Sequence, residues 1–278
     1  MSGPPGPLGA AAELGALREL VRAFPSVLLG YSGGVDSAFL AVVLRQELGR
    51  ARMLAAIGRS ASYPGVQWET ARRVAERFDV PFLEIDTHEL EDPRYLANPT
   101  NRCFFCKTEL WSWLVPEARA RGLAVVCDGT NADDLREHRP GYLAGRGAGV
   151  RSPLAEVGMT KAEIRAASRE LGLPTWDAPA APCLSSRVAY GLAITPRRLE
   201  QVERAEAYLR ELGVAGDVRV RHHGDRARIE VEPEWIPWLR ERLGAVTRRL
   251  GDLGFAVVEV DPRGYRRGSL ILERAGGA

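Results

Sequence analysis

The hexapeptide SGGVDS, residues 32–37, sets two adjacent glycines between two serines and a carboxylate. It lies between a short apolar run, SVLLG, and the helically spaced AFLAVVLRQELG. Strand, glycine-rich turn and helix N-terminus together bind phosphate. The loop amides and the helix's unsatisfied N–H groups converge on one spot, and the helix dipole favours an anion there. The G-K-[ST] ending of a Walker A loop is missing. A second reactive pattern is NRCFFCK, which spaces Cys103 and Cys106 as C-x-x-C. Such a pair at a helix start suits a redox dithiol or half of a zinc site. Cys127 ends the apolar run LAVVC and reads as a small buried hydrophobe, although a four-cysteine zinc site stays arithmetically open.

These residues need a scaffold. Strand-like runs (SVLLG, MLAAIG, PFLEID, LAVVC) alternate with helical patterns at about residues 38–48, 68–78 and 104–122. That βαβα order predicts an α/β fold with a doubly wound parallel sheet. A first helix is expected at 14–24, after a loose Pro- and Gly-containing lead-in, and a long Gly- and Arg-rich loop over 131–152. TKAEIRAASRELGLP reads as a helix with Thr160 as cap, Glu163 at the capping-box position and a Gly–Pro stop. After about residue 190 the texture changes. A helix over 196–212, two alternating strands joined by a tight His-Gly-Asp turn, a helix over 236–250 and a strand FAVVEVD predict a small α+β domain built on antiparallel pairs. The expected domains are therefore 1–190 and 191–278.

Length and composition bound the rest. The 278 residues, 45% hydrophobic and 27% charged, suffice for a sizeable core. A net charge of +2 gives no reason to expect bulk nucleic-acid binding. Of the 38 basic residues only Lys107 and Lys161 are lysine, a compositional bias that makes a lysine kept within a motif stand out. No apolar run is long enough to span a membrane, and the N-terminus lacks the basic start and apolar core of a secretory signal. A cytoplasmic protein is expected, with its four cysteines reduced.

The loop 32–37 resembles the pyrophosphatase loop of N-type ATP pyrophosphatases, S-G-G-x-D-S. DGTNADD (128–134), RPG (139–141), SPL (152–154), K-x-x-I-R (161–165) and CLSSRVAYG (183–191) follow in that order. Together they are similar to the ATP-dependent sulfur transferases called LarE, over nearly the whole chain. The resemblance implies an adenine nucleotide alpha hydrolase-like PP-loop domain and a smaller substrate-binding or oligomerisation domain. It implies adenylylation of a pyridinium dicarboxylate mononucleotide, release of pyrophosphate, and attack by sulfur to give a thiocarboxylate in synthesis of the nickel-pincer cofactor of lactate racemase. ATP and Mg²⁺ would be held by Ser32, Gly33, Gly34, Val35, Asp36 and Ser37, with Asp128, Thr130 and Asn131 lining the nucleotide pocket. Ser32, Asp36, Ser37 and Cys183 would have catalytic roles.

In one branch of that family the cysteine matching Cys183 surrenders its own sulfur and becomes dehydroalanine. In three-cysteine members the residues matching Cys103, Cys106 and Cys183 hold a 4Fe-4S cluster whose open iron carries a sulfide. The resemblance further implies Arg187, Arg219 and Arg221 as substrate-binding residues, and Glu206 and Glu230 as acids linked with metal or substrate. Against this stand an exposed strand face for both strand arginines and a solvated helix face for Glu206. A further family acid downstream of Glu230 has no clear match in PEWIPWLR. Trp111 and Trp113 are expected in the core, and His222 and His223, adjacent on a strand, face opposite sides. A homo-oligomer is expected, with contact to other enzymes of the same synthesis. The rival functions are a tRNA thiolase of the same fold and a non-catalytic nucleotide or iron–sulfur carrier.

Overall fold

The computed structural model describes residues 7–136 and 140–271. The chain forms two compact units, Met1–Asp92 with Asn101–Ala178, and Pro93–Thr100 with Pro179–Ala278. The change of texture near residue 190 falls inside the second unit.

The first unit is built on four parallel strands, β1 (Val27–Gly30), β2 (Met53–Arg59), β3 (Phe82–Asp86) and β4 (Val125–Cys127), in the order β3-β2-β1-β4. Helices α1 (Pro7–Arg22), α2 (Val35–Leu48), α3 (Gly65–Arg77), α5 (Arg102–Ala120), α6 (Pro140–Gly147), α7 (Pro153–Glu156) and α8 (Lys161–Glu170) surround it; the single turn α4 (Pro93–Leu96) belongs to the second unit. Alternate strand residues face opposite ways. Val27 and Leu29 of β1 and Ala55 and Ile57 of β2 pack with α1, α2, α3 and α8. Leu28 and Ala56 pack on the other face with Trp111, Leu114 and Ala118 of α5 and Ala144 of α6. Both faces are thus covered, as a parallel sheet requires. Helix α2 is buried continuously from Ser37 to Leu44, which is why its sequence is apolar all round.

Four expectations need correction in these units. The segment 131–152 is not a long loop: it contains a 3-10 turn, Asp134–Arg136, and helix α6. Its glycines signal a loop by propensity, but here they permit close packing. A Cβ on Gly141 would lie 3.0 Å from Lys107 Cγ, and one on Gly145 3.3 Å from Trp111 Nε1. Arg139 of the RPG motif lies outside the described residues. Trp113 is half exposed, its ring tilted against that of His88 and its Nε1 donating to Glu109 Oε1, because Trp111, Leu114 and Ala118 already form the buried face of α5.

The other two corrections concern the second unit. It contains α9 (Pro196–Glu211), β5 (Arg219–His223), β6 (Arg226–Glu230), α10 (Trp235–Glu241), α11 (Leu243–Asp252) and β7 (Val257–Val260). The hairpin β5–β6 is antiparallel, with Gly224 at φ +81 in its turn. Strand β7 is parallel to β6, because α10 and α11 carry the chain back to its starting end before it pairs. The single helix expected over 236–250 is two helices that meet at Arg242.

Candidate active site

The loop 32–37 leaves β1 at the carboxyl edge of the sheet. β1 has β2 on one side and β4 on the other, so the connections diverge there and open a crevice. Gly33 has φ +65, and a Cβ there would lie 2.5 Å from Ala71 Cβ, so only glycine fits. Ser37 Oγ accepts from Ser32 N (3.2 Å) and sits 3.1 Å from Ser32 Oγ, pairing the two hydroxyls of the motif. The first amide of α2 to bond within the helix is Ala38, to Gly34 O at 2.9 Å. The preceding amides of Val35, Asp36 and Ser37 are the anion-binding N-terminal groups of that helix.

The strand β4 brings the second half of the crevice. A Cβ on Gly129 would lie 2.9 Å from Ser37 N, so the 128–131 segment runs directly beside the loop. Asp128 Oδ1 accepts from Thr130 N (3.0 Å) and Ser152 Oγ (2.8 Å). Buried Asn131 accepts from Asp133 N and Asp134 N through Oδ1. All nine residues expected to hold the nucleotide therefore gather at one edge of one sheet. In the sequence Lys161 is marked only by its place in the K-x-x-I-R motif. In the structure its Nζ donates to both Asp36 oxygens, at 2.7 and 2.6 Å, across a separation of 125 residues. The capping box of α8 holds it there, with Thr160 accepting from Glu163 N and Lys161 N donating to Asp133 Oδ2.

Cys103 and Cys106 lie in the first two turns of α5, the exposed and the half-buried thiol respectively. Because α5 links the parallel strands β3 and β4, its N-terminus lies at the same edge of the sheet as the loop 32–37. Lys107 follows Cys106 directly, with its Nζ 5.3 Å from the centre of the Trp111 ring. Cys127 is fully buried on the face covered by α1, α2 and α8, opposite to α5, so it cannot complete a zinc site with the pair. Burial, followed by the neighbouring Asp128, raises its thiol well above the ordinary range, which keeps it neutral. Among the described residues no group of three or more His, Cys, Asp or Glu side chains is assembled to hold a metal ion.

In the second unit Cys183 precedes the 3-10 turn Leu184–Arg187. Arg187 is buried, donating through Nε to Glu206 Oε1 (2.9 Å) and through Nη2 to Oε2 (3.2 Å). Its Nη1 donates to the carbonyls of Pro182 and of Cys183, the latter at 3.0 Å. Glu206 also accepts from Val220 N at 3.1 Å. Arg219 donates to Val218 O, Asp217 Oδ1 and Ala180 O, and burial followed by the Arg187 charge lowers its pKa. Arg221 pairs with Glu230, which is fully buried, and donates to Ser186 O. The strand arginines and Glu206 therefore lie inside the unit, not on a solvated face. Arg187 engages its guanidinium with Glu206 and the backbone around Cys183. His222 is buried and bonded to Gln201 at 3.0 Å.

Comparison with known proteins gives this geometry a family. The NAD synthase family model matches residues 15–95, the segment that carries the loop. An uncharacterized protein of Synechocystis sp. is 44% identical over 260 residues, 93% of this chain and 96% of its own. The pyridinium-3,5-bisthiocarboxylic acid mononucleotide synthase of Lactiplantibacillus plantarum is 34% identical over 94% of this chain and 92% of its own. An uncharacterized protein of Methanocaldococcus jannaschii is 28% identical over 86% and 90%. No helix among the described residues is long and apolar enough to cross a membrane. With the phosphate loop intact and identity to the synthase spanning nearly all of both chains, this chain belongs to the LarE family of PP-loop, ATP-using sulfur transferases.

Proposed function

We propose that the chain adenylylates a carboxylate of pyridinium-3,5-biscarboxylic acid mononucleotide and replaces its oxygen by sulfur, a step toward the nickel-pincer cofactor of lactate racemase. The observation that carries the reading is the loop 32–37 at the crevice, with Asp36 paired to Lys161, in a chain 34% identical to the synthase. A carboxylate is a poor electrophile and its oxygen does not leave unaided. Its attack on the α phosphorus of ATP forms a carboxyl–phosphorus link and releases pyrophosphate. Sulfur then attacks the acyl carbon, and AMP departs with the former carboxylate oxygen. Ser32, Ser37 and the amides of 33–37 bind the departing pyrophosphate. Lys161 adds a cation at the loop, and Asp36 is the carboxylate for Mg²⁺, which would neutralise the polyphosphate. Asp128, Thr130 and Asn131 line the adenosine side of the crevice.

A 4Fe-4S cluster would be held by Cys103, Cys106 and Cys183. Two of these fit the role on local grounds, since a helix N-terminus presents both thiols on one face beside Lys107. When bound, the cluster would supply the sulfur. Arg187, Arg219, Arg221, Glu206 and Glu230 are proposed to form the mononucleotide site in a substrate-binding unit, with Arg187 also holding the Cys183 backbone. That clamp supports a second reading, in which Cys183 gives up its own sulfur by β-elimination to dehydroalanine. Homo-oligomerisation and contact with the other enzymes of the synthesis belong to the same proposal.

Mass spectrometry of the protein after anaerobic turnover with ATP, Mg²⁺ and the dicarboxylate mononucleotide tests both. An intact chain with thiolated product supports cluster use, and loss of the sulfur at Cys183 supports sacrifice. No thiolated product in either form overturns the proposal. Anaerobic reconstitution with iron and sulfide should give a cluster spectrum that Cys103→Ala removes.

A further inference from the structure

The main-chain carbonyl of Ser32 accepts two hydrogen bonds, from Tyr63 Oη at 2.9 Å and from Gln67 Nε2 at 3.0 Å. A carbonyl oxygen has two lone pairs, so neither remains to face a ligand. The peptide that joins Ser32 to Gly33 is trans, as are all peptide bonds among the described residues, and in a trans peptide C=O and N–H point in opposite directions. With the carbonyl tied toward Tyr63 and α3, the Gly33 N–H is directed away from them, to the other side of the loop. An untied carbonyl would be free to turn the negative end of this dipole toward a polyphosphate.

The same row of residues supports the loop further along. Tyr63, Gln67 and Ala71 are spaced four apart, so they stack along one face of α3 and the turn that leads into it. Ala71 is the residue against which Gly33 packs, and its carbonyl accepts from Tyr31 Oη at 3.0 Å. The turn that carries Tyr63 is itself anchored. Buried Glu89 accepts from Ser60 Oγ and Ser62 Oγ, and Tyr63 N donates to Ser60 O.

We propose that Tyr63 and Gln67 are positioning residues for ATP: they hold the Ser32–Gly33 peptide with its N–H toward the β and γ phosphates. The inference rests on the loop 32–37 being the polyphosphate site and assigns the groups outside the motif that preset it. Neither residue touches the ligand. Their removal therefore acts on nucleotides that carry the terminal phosphates and spares those that do not.

The test is binding of Mg·ATP and of AMP to the full chain by calorimetry, for wild type, Tyr63→Phe, Gln67→Leu and the double variant. Each substitution removes one donor and keeps an apolar side chain of similar size. Each single variant should weaken Mg·ATP by about 3- to 10-fold, and the double variant by more than either, with AMP affinity unchanged within twofold. The inference is overturned if the double variant binds Mg·ATP as wild type does, or if AMP weakens in parallel, which marks a merely structural role. Failure of the underlying loop reading looks different: wild type itself would bind Mg·ATP no better than AMP. Tyr63→Phe, which deletes one oxygen, keeps the test decisive if the double variant does not fold.

Discussion

Asp36 and Lys161 form a pair at the loop, and under the proposed function that pair would separate, or share a ligand, when a metal-bound polyphosphate arrives. The carboxylate is the donor a cation needs, and the ammonium is a point charge suited to phosphate. Lys161→Met removes that charge and leaves Asp36 facing the polyphosphate alone. It should weaken Mg·ATP about 10- to 100-fold, the range for a hydrogen bond to a charged group, with little change in thermal stability because the pair is part-exposed. Titration with Mg·ATP beside a melting curve checks both halves of that expectation. The loop 32–37 was legible because its chemistry is contiguous. The Lys161 partnership was not, because 125 residues separate the two charges and only the fold joins them. Arg187 shows the opposite limit. Its type and place suggest an anion ligand, but its contacts with Glu206 and the backbone of Cys183 could not be read from spacing.

At the scale of elements, glycines decide how closely helices α5 and α6 approach the sheet and each other. A Cβ on Gly30, the last residue of β1, would lie 2.7 Å from Trp111 Cη2. Trp111 is itself almost fully buried against the sheet. Gly30→Ala must therefore shift either the indole or the strand end from which the phosphate loop departs. A cost of about 1–3 kcal/mol is expected, read as a drop in melting temperature, together with weaker Mg·ATP binding. Strands and helices of regular period were legible from hydrophobic spacing, including the capping box of α8. Helix α6 was not, since glycine speaks for a turn in isolation and for close packing in context. The pairing of β7 was likewise hidden, because strand direction depends on the crossover through α10 and α11 and not on the strand's own residues.

The whole molecule joins the unit that carries the phosphate loop to one rich in buried ion pairs, and a buried histidine in the latter ties stability to pH. Burial, then the charges of Arg198 and His223, push His222 down to about 4, against an ordinary value of 6.5. Below 6.5 the unfolded chain takes up a proton at this site that the folded chain refuses until about pH 4. Stability from His222 is therefore complete above 6.5 and falls as the pH drops toward 4, by at most about 3 kcal/mol and by less to the extent that solvent screens the ring. Chemical denaturation at several pH values should show that slope, and His222→Gln should remove it. The change of texture along the chain suggests a boundary near residue 190, whereas the second unit already takes in the chain from Pro179. That Pro93–Thr100 belongs with the second unit was not legible, because the link is made by contacts such as Tyr95 Oη to Ser185 Oγ and Asn98 Nδ2 to Ala189 O, formed only on folding.

The account turns on activation of a carboxylate by the loop 32–37, and the exchange of labelled pyrophosphate into ATP measures that step without requiring sulfur. With Mg²⁺ and pyridinium-3,5-biscarboxylic acid mononucleotide present, wild type should catalyse exchange that depends on the mononucleotide, and Ser37→Ala should abolish it. Exchange that ignores the mononucleotide, or that survives unchanged in Ser37→Ala, would contradict the account.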